Sequence, residues 1–387
     1  MAGYRRALHD DPFGYLRELR RTEAPAPGEP AALLRLPWGG WCVSDPALAH
    51  ELLRAEEFNA DRSGFFGELL PTRADQIEVG HAVRNLLRSR LPDYRTALAG
   101  QLARLPAASR WPDAATELVH RSLADQLLHP ATPARARRLT DRAVHGGVVF
   151  EAPTVWRRAR AEALRARFIA AIAEQVRDRR ADPAAEPRDV LDAVIGGCPA
   201  ELPDRTVAEV FLVMFRSIVA PVAGTLAWSV FLAGTHHTGD GELPWPADWI
   251  VREAMRHRPM VWMVGRSLPD SGEFGGVPFH AGDLLSVSPY LLHHDDRGWT
   301  DHDEFRPGRW ADAQPRGPYI PFGAGPFACA GASVAMVLLT EALTALTQDH
   351  RITVSGGDPR PVMVEGAIPR PFTVHRTVRH ASREVRR

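Results

Sequence analysis

Hydrophobic and polar positions follow two different periods along the 387 residues. Residues 31–44 alternate with period two around the sequence WGGW, which predicts a β-hairpin. The sequence DPALAHELLRAEEF follows and predicts a helix with Asp45 near its start. From about residue 80 to residue 180 apolar positions recur with a period near 3.6, which predicts a run of helices. The prolines of ADPAAEPRDV end that run.

The second half of the chain predicts two helices that flank short strands and coil. The segment from about Pro203 to Ala233 is apolar nearly all round, which is typical of a long helix buried at the centre of a protein. A shorter helix is predicted over DWIVREAMRHR, ending before Pro259. Short strands are predicted for residues 260–290.

A coil rich in proline and glycine is predicted from Asp295 to Gly325, followed by a last helix from about Gly331 to Asp349 and closing strands. No repeat, low-complexity segment or flexible linker interrupts these elements. We therefore expect a single domain over residues 1–387 that is mainly α with small β-sheets.

Charge and cysteine content exclude several classes of protein. The 47 basic residues are all arginine and balance 47 acidic residues, so a nucleic-acid-binding protein is not expected. Cys42, Cys198 and Cys329 are far apart and form no CxxC pair, which disfavours a disulfide framework or a zinc site. The N-terminus lacks the apolar run of a signal peptide, and Arg216 interrupts the most apolar segment. A cytoplasmic protein that does not span a membrane is expected.

One cysteine lies where a thiolate would be useful. In PFGAGPFACAGASVAM, Cys329 follows a glycine-rich loop and precedes a predicted helix. A helix N-terminus stabilises a thiolate, and glycines allow the backbone to approach a flat ligand closely. Together these features fit an axial ligand of a haem iron. A cysteine protease would need a histidine base, which nothing near Cys329 suggests, and an inert buried cysteine is the remaining alternative.

The sequence FGAGPFACAG resembles the haem-binding loop of the cytochrome P450 family, F-G-x-G-x-basic-x-C-x-G. Phe327 replaces the basic residue of that motif. EAMR resembles the E-x-x-R helix of the family, and EFRPGRW resembles its meander. DDPFGYLRELR, FNADR and HAVRNLLRSRL resemble its N-terminal segments, in the same order. The resemblance spans almost the whole chain and implies a cytochrome P450 fold with a bound haem b.

The resemblance also assigns roles to individual residues. It makes Cys329 the ligand of the haem iron. It implies that Arg266 binds a haem propionate and that Glu253, Arg256 and Arg309 form a structural network. His81 resembles a second propionate contact, and Arg84 or Arg88 would take the place of the arginine usually paired with it. The loop contributes the cofactor contacts Phe322, Gly323, Gly325, Phe327 and Gly331.

Phe327 departs from the family pattern. The loss of a charge-assisted hydrogen bond to a carboxylate, worth about 1.5–3 kcal/mol, should loosen the haem or leave a propionate to water or to another arginine. Alternatively, Phe327 packs and other residues compensate.

The central helix departs from the family in the residues that handle protons. Most members carry A-G-x-acid-Thr there, and the acid and alcohol relay protons to dioxygen. Two registers place either Ala220–Pro221 or Arg216–Ser217 at the acid–alcohol positions. In both registers the carboxylate is missing, because no Asp or Glu occurs from residue 210 to residue 239.

Ser217, Pro221 and Thr225 are spaced four residues apart and share a helix face. We expect Pro221 to kink the helix and to free the carbonyl of Ser217. The freed carbonyl and the hydroxyls of Ser217 and Thr225 would then hold water or substrate. The alternative is a kinked core helix whose hydroxyl groups are inert.

Two further hypotheses concern Arg216 and the sequence MVWMV. An arginine in the acid position resembles the peroxide-using fatty-acid hydroxylases of the family, in which the substrate carboxylate pairs with it. Arg216 could also point away and bind a propionate or a surface carboxylate. Val261, Trp262 and Met263 suit contact with an apolar substrate, and ordinary strand packing explains the run equally well.

The resemblance implies a haem-thiolate oxidase of a bacterial biosynthetic pathway. Such an enzyme uses dioxygen and two electrons from a ferredoxin and its reductase to hydroxylate, epoxidise or couple a small organic substrate, free or bound to a carrier protein. The missing acid keeps two other enzymes open: a peroxide-dependent oxygenase, and a catalyst of rearrangement or dehydration. A degenerate member that serves only as a binding scaffold is a further alternative.

Overall fold

Helices make up most of the structure, a computed structural model that describes residues 2–23, 32–55, 58, 65–70, 72–150, 155–238, 242–311, 316–364 and 366–379. Its helices are α1 (Ala2–Asp10), α2 (Pro12–Thr22), α3 (Pro46–Arg54), α4 (Arg73–Ser89), α5 (Leu91–Leu102), α6 (Asp113–Leu127), α7 (Ala134–His145), α8 (Val155–Ala181), α9 (Val190–Gly197), α10 (Asp204–His236), α11 (Ala247–His257), α12 (Pro289–His293) and α13 (Ala332–Thr347).

The strands are short and form four small sheets. They are β1 (Leu33–Arg35), β2 (Trp41–Val43), β3 (Ala108–Trp111), β4 (Val264–Ser267), β5 (Gly272–Phe274), β6 (Val277–Phe279), β7 (Leu284–Val287), β8 (His350–Gly356), β9 (Pro361–Met363), β10 (Ala367–Pro369) and β11 (Phe372–Val378). Within the described residues, the sheet orders are β1-β2-β7-β4, β3-β11-β8, β5-β6 and β9-β10. The pair β2–β7 is parallel, and the other paired strands of these sheets are antiparallel. The predicted fold class, mainly α with small sheets, is confirmed.

Helix α10 forms the centre of the core, as its composition predicts. It is long and apolar enough to cross a membrane, but 78% of its most apolar window is buried inside the protein, as in a core helix. Trp228 is fully buried on it, and the indole N–H donates to the carbonyl of Ala367 at 2.7 Å, which ties α10 to β10. The helix runs without a break through Pro221.

The predicted hairpin and the helix that follows it are both present. Strands β1 and β2 pair antiparallel, and the Asp45 carboxylate caps α3 by accepting from the backbone N–H groups of Ala47 and Leu48. The helix ends at Arg54, earlier than predicted. Beyond Phe58, the FNADR stretch lies outside the described residues.

The predicted run of helices from about residue 80 to residue 180 contains one strand that the periodicity did not predict. Residues Ala108–Trp111 form strand β3, which pairs antiparallel with β11 at the other end of the chain. A four-residue strand whose partner lies more than 260 positions away leaves little signal in local periodicity. Its alternating burial, with Ser109 and Trp111 inside, is the only local sign.

Candidate cofactor site

Cys329 lies at the start of α13, as its position in the sequence suggests. Its backbone N–H donates to the carbonyl of Phe322 at 2.9 Å, which closes the loop before the helix. Desolvation raises the pKa of the Cys329 thiol, and the neighbouring backbone N–H groups of Gly331 and Ala332 offset only part of that shift. Cys42 and Cys198 are buried, and burial raises the pKa of each to about 12. Among the three cysteines, Cys329 is therefore the exposed one.

The loop around Cys329 depends on two glycines with positive φ. Gly323 has φ +71° and Gly325 has φ +72°, in the region that side chains rarely adopt. A Cβ atom on Gly325 would also overlap the carbonyl oxygen of Leu53, at the end of α3. The loop can therefore approach α3 only because residue 325 has no side chain.

A buried ionic network lies behind the loop. Glu253 and Arg256 are fully buried on α11, and Arg309 is 7% exposed. Arg256 donates to both oxygens of Glu253 at 2.9 and 3.1 Å, and Arg309 donates to Oε1 of Glu253 at 3.0 Å. Glu253 also accepts from the backbone N–H of Arg306 and the indole N–H of Trp310. The structure thus brings together the three residues that sequence analysis grouped.

A chain of hydrogen bonds connects this network to the cysteine loop. Arg256 Nη1 donates to the carbonyl of His293 at 2.8 Å. The Nε2 atom of His293 in turn accepts from the backbone N–H of Ile320 at 2.9 Å. The carbonyl of Ile320 accepts from the N–H of Gly323. Complete burial lowers the pKa of His293 to about 3, so its ring is neutral and Nε2 can accept. Sequence analysis missed His293, because two adjacent histidines in the sequence give no sign of such a contact.

Two arginines lie beside Phe327, the residue that replaces the usual basic side chain. The guanidinium carbon of Arg266, on β4, lies 5.1 Å from the centre of the Phe327 ring. The guanidinium carbon of Arg73, the first residue of α4, lies 5.0 Å from the same centre. His81 is exposed, and Arg84 donates to the side chain of Asn85. Sequence analysis proposed His81 and Arg84 for this region of α4 and missed Arg73.

These residues suit a haem. Among the described residues, no group of three or more His, Cys, Asp or Glu side chains could hold a metal ion. Cys329 would instead offer one thiolate to a haem iron. Arg73 and Arg266 offer positive charge near the loop for the propionates of the haem.

The proposed catalytic residues of α10 lie in two environments. From residue 207 to residue 233 the helix is buried except at Glu209, Val213, Arg216, Ser217 and Pro221, which are partly exposed. Thr225, on the same face as Ser217 and Pro221, is 5% exposed. The Ser217 hydroxyl donates to the carbonyl of Met214 at 3.0 Å, within its own helix. The hydroxyl of Ser217 is therefore already satisfied by the backbone.

Arg216 faces α8. Burial lowers the pKa of its guanidinium, nearby Arg165 lowers it further, and Glu162 opposes both effects. Arg165 and Glu162 are exposed residues in the first half of α8. The outward-pointing alternative for Arg216, toward a surface carboxylate, agrees with this position.

The run MVWMV packs mainly against the first sheet. Trp262 contacts Trp38 edge-on with ring centres 6.4 Å apart, and Met263 Sδ lies 3.9 Å from Cys42 Sγ. Val261 is 40% exposed. These contacts match the strand-packing alternative. The preceding residue, Met260, lies instead against α10, where its Sδ would contact a Cβ atom added to Gly224.

Comparison with known proteins agrees with this site. The family model described as Cytochrome P450 matches residues 247–374, which include Glu253, Arg266, Arg309 and Cys329. Cyclooctatin synthase of Streptomyces melanosporofaciens is 26% identical over 229 residues, 51% of this chain and 50% of that protein. Human cytochrome P450 3A5 is 34% identical over 105 residues, 26% of this chain and 21% of that protein. The matches thus span half or less of these relatives.

Solved structures extend the likeness of fold to nearly the whole chain. P450BioI, in complex with an acyl carrier protein ligated to hexadec-9Z-enoic acid, has a TM-score of 0.74 at 14% identity and covers 95% of this chain and 99% of its own. A mutant of P450 EryK in complex with erythromycin B has a TM-score of 0.68 at 20% identity, with 96% of each chain covered. These likenesses confirm the fold that the sequence predicts.

Proposed function

We propose that the chain is a haem-thiolate monooxygenase of the cytochrome P450 family that oxidises a small organic substrate in bacterial secondary metabolism. The observation that carries the proposal is the placement of Cys329. Cys329 is exposed just before α13, and hydrogen bonds through His293 link its loop to the Glu253–Arg256–Arg309 network.

The residues around the cysteine would hold haem b and set its electronic properties. When bound, haem b supplies the oxidising chemistry, and a thiolate ligand favours O–O cleavage. The network behind the loop would keep the Cys329 sulfur in place. Phe322, Gly323, Gly325, Phe327 and Gly331 would form the loop that contacts the cofactor.

Proton delivery in this chain would differ from that of most family members. The helix α10 has no carboxylate from residue 210 onward, and Ala220–Pro221 or Arg216–Ser217 take the acid–alcohol positions. We infer that protons come from the substrate or from water held near Ser217, Pro221 and Thr225. Pro221 has no backbone N–H, so the Ser217 carbonyl lacks its usual helical donor. That carbonyl can therefore accept a hydrogen bond from water or from the substrate.

Partners follow from the same proposal. A ferredoxin and its reductase would deliver electrons in the cytoplasm. The likeness to P450BioI, whose structure holds an acyl carrier protein, supports a carrier-bound substrate. The likeness to cyclooctatin synthase and to EryK supports a biosynthetic substrate. Val261, Trp262 and Met263 remain candidates for substrate contact, although each has packing or exposure that explains it without a substrate.

The absorption spectrum of the purified protein, reduced and treated with carbon monoxide, tests the cofactor. The wild-type chain should show the red-shifted Soret band of a thiolate-ligated haem. Cys329→Ser should lose the shift, whereas Cys42→Ser should keep it. A wild-type protein without haem after supplementation would overturn the proposal.

A peroxide-dependent oxygenase is the second candidate, and the missing carboxylate favours it. General acid catalysis is typically worth 100- to 10,000-fold, and a peroxide already carries protons that dioxygen must acquire. Turnover with peroxide alone, faster than with dioxygen and ferredoxin, would support this candidate. Turnover without any oxidant would instead support rearrangement or dehydration.

A further inference from the structure

Arg73 occupies an unusual place for a cation. It is the first residue of α4, where the positive end of the helix dipole disfavours positive charge. A capping box fixes this end of the helix: Thr72 accepts from the N–H of Asp75 at 3.1 Å, and Asp75 accepts from the N–H of Thr72 at 3.0 Å. The start of α4 is therefore well defined, and the position of Arg73 is set by the helix and not by a loose loop.

Helix α4 also lies directly against the cysteine loop. A Cβ atom added to Gly80 would lie 3.4 Å from the Cβ of Ala330, the neighbour of Cys329. This contact is independent of the one between Arg73 and Phe327, and it lies two turns further along the same helix. The first three turns of α4 thus border the loop that carries the proposed iron ligand.

The Phe327 ring brings two guanidinium groups together. Arg73 lies 5.0 Å and Arg266 lies 5.1 Å from the ring centre, so the two guanidinium carbons are no more than about 10 Å apart. An aromatic ring attracts cations within about 6 Å of its centre, which offsets part of their mutual repulsion. Burial lowers the pKa of Arg266, so desolvation already costs this cation free energy. A nearby anion would relieve both penalties.

We propose that Arg73 replaces the basic loop residue lost at position 327 and that, with Arg266, it binds the propionate carboxylates of the haem. The positive charge has moved from the loop to the start of α4, and Phe327 has become the surface against which both arginines pack. This inference rests on the proposed function, because it requires that the chain bind haem.

The rate of haem loss tests the proposal without measuring catalysis. Each variant, loaded with haem, is mixed with an excess of a haem-accepting apoprotein, and transfer is followed by absorbance. Arg73→Ala should lose haem on the order of tenfold faster than wild type, the effect of one charge-assisted hydrogen bond. Arg135→Ala removes an exposed arginine from the first turn of α7 and should leave the rate unchanged.

Two further variants separate charge from shape. Arg73→Lys keeps the charge and should lose haem more slowly than Arg73→Ala. The double variant Arg73→Ala/Phe327→Arg restores the family's basic loop residue and should return to within about threefold of wild type. Thermal melting of the haem-free proteins checks that Arg73→Ala folds as well as Arg135→Ala.

Several outcomes would overturn the proposal. Loss of haem from Arg73→Ala at the wild-type rate would do so, as would no rescue by Phe327→Arg or faster loss from Arg84→Ala than from Arg73→Ala. In each of these cases the wild-type chain still binds haem, and the proposed function stands. A wild-type chain that binds no haem would overturn both.

Discussion

The cysteine side of the molecule and the central helix differ in how their polar groups are arranged. Near Cys329, a chain of hydrogen bonds runs from Glu253 through Arg256 and His293 to the cysteine loop. Along α10, the hydroxyl of Ser217 bonds only within the helix and the carboxylate expected beside it is missing. The cysteine loop resembles the cytochrome P450 motif at every position except Phe327, whereas α10 carries no carboxylate from residue 210 onward. We therefore expect substitutions on the two sides to separate cofactor binding from reaction type.

The largest effect should come from filling the space at Gly325. Gly325→Ala places a Cβ atom against the Leu53 carbonyl and forces an unfavourable φ, so the cysteine loop cannot form as it is. We expect loss of bound haem in the absorption spectrum. Gly282→Ala is the matched control, because Gly282 has φ +86° with nothing within 4 Å of the added Cβ. Equal haem loss from both variants would show that a side chain at positive φ destabilises the whole protein, and that the contact with α3 is not specifically required.

Neutralising the network should have the next largest effect. Glu253→Gln leaves Arg256 and Arg309 buried without their carboxylate, which should lower the free energy of unfolding by about 3–5 kcal/mol. Chemical denaturation followed by circular dichroism measures the change. Glu341→Gln breaks an exposed pair with Arg95 and should cost less than about 1 kcal/mol. A small effect at Glu253 would contradict the role given to the network.

Acid should destabilise the folded protein through its buried histidines. Burial lowers the pKa of His293 to about 3 and that of His120 to about 4, and it holds the pKa of His257 and His294 well below 6.5. The unfolded chain takes up these protons below about pH 6.5 and the folded chain does not, so stability falls as pH decreases from 6.5 toward 4. Each histidine contributes a slope of about 1.4 kcal/mol per pH unit.

Denaturant midpoints at several pH values measure this slope. His293→Gln should make the pH dependence shallower, while substitution of the exposed His280 by Gln should not change it. An unchanged slope in His293→Gln would show that His293 is not neutral in the folded protein.

The smallest effect on stability should come from the central helix. Ser217→Ala/Thr225→Ala removes two hydroxyls that, in the described structure, have no partner outside their own helix. The free energy of unfolding should therefore change by less than about 1.5 kcal/mol. Haem binding should persist, while the fraction of electrons that reach product should fall. Unchanged coupling would mean that these hydroxyls are inert.

Restoring the family's residues would identify the register of α10. Ala220→Asp/Pro221→Thr and Arg216→Asp/Ser217→Thr each install an acid and an alcohol at one of the two candidate positions. Higher coupling with dioxygen in the first pair would favour the Ala220–Pro221 register. Higher coupling in the second pair would favour the other register.

Sequence analysis predicted most elements and the motif residues, but it did not predict the contacts between distant segments. Local periodicity predicted the β1–β2 hairpin and the burial of α10, because both depend on neighbours in sequence. Strand β3 was missed, since its pairing with β11 is long-range. Arg73 and His293 were missed for the same reason: each reaches the cysteine loop from another part of the fold.

The difference in exposure among the three cysteines offers a way to measure how much of the protein lacks cofactor. Cys42 and Cys198 are buried, and burial raises the pKa of each to about 12. The pKa of Cys329 is raised as well, but this cysteine is exposed, so accessibility would direct a reagent to it. A thiol-specific fluorescent reagent should therefore label the native haem-free chain once, at the residue that would bind iron. The labelled fraction of a preparation would then equal its content of cofactor-free protein, and it could be read by mass spectrometry in unpurified extracts.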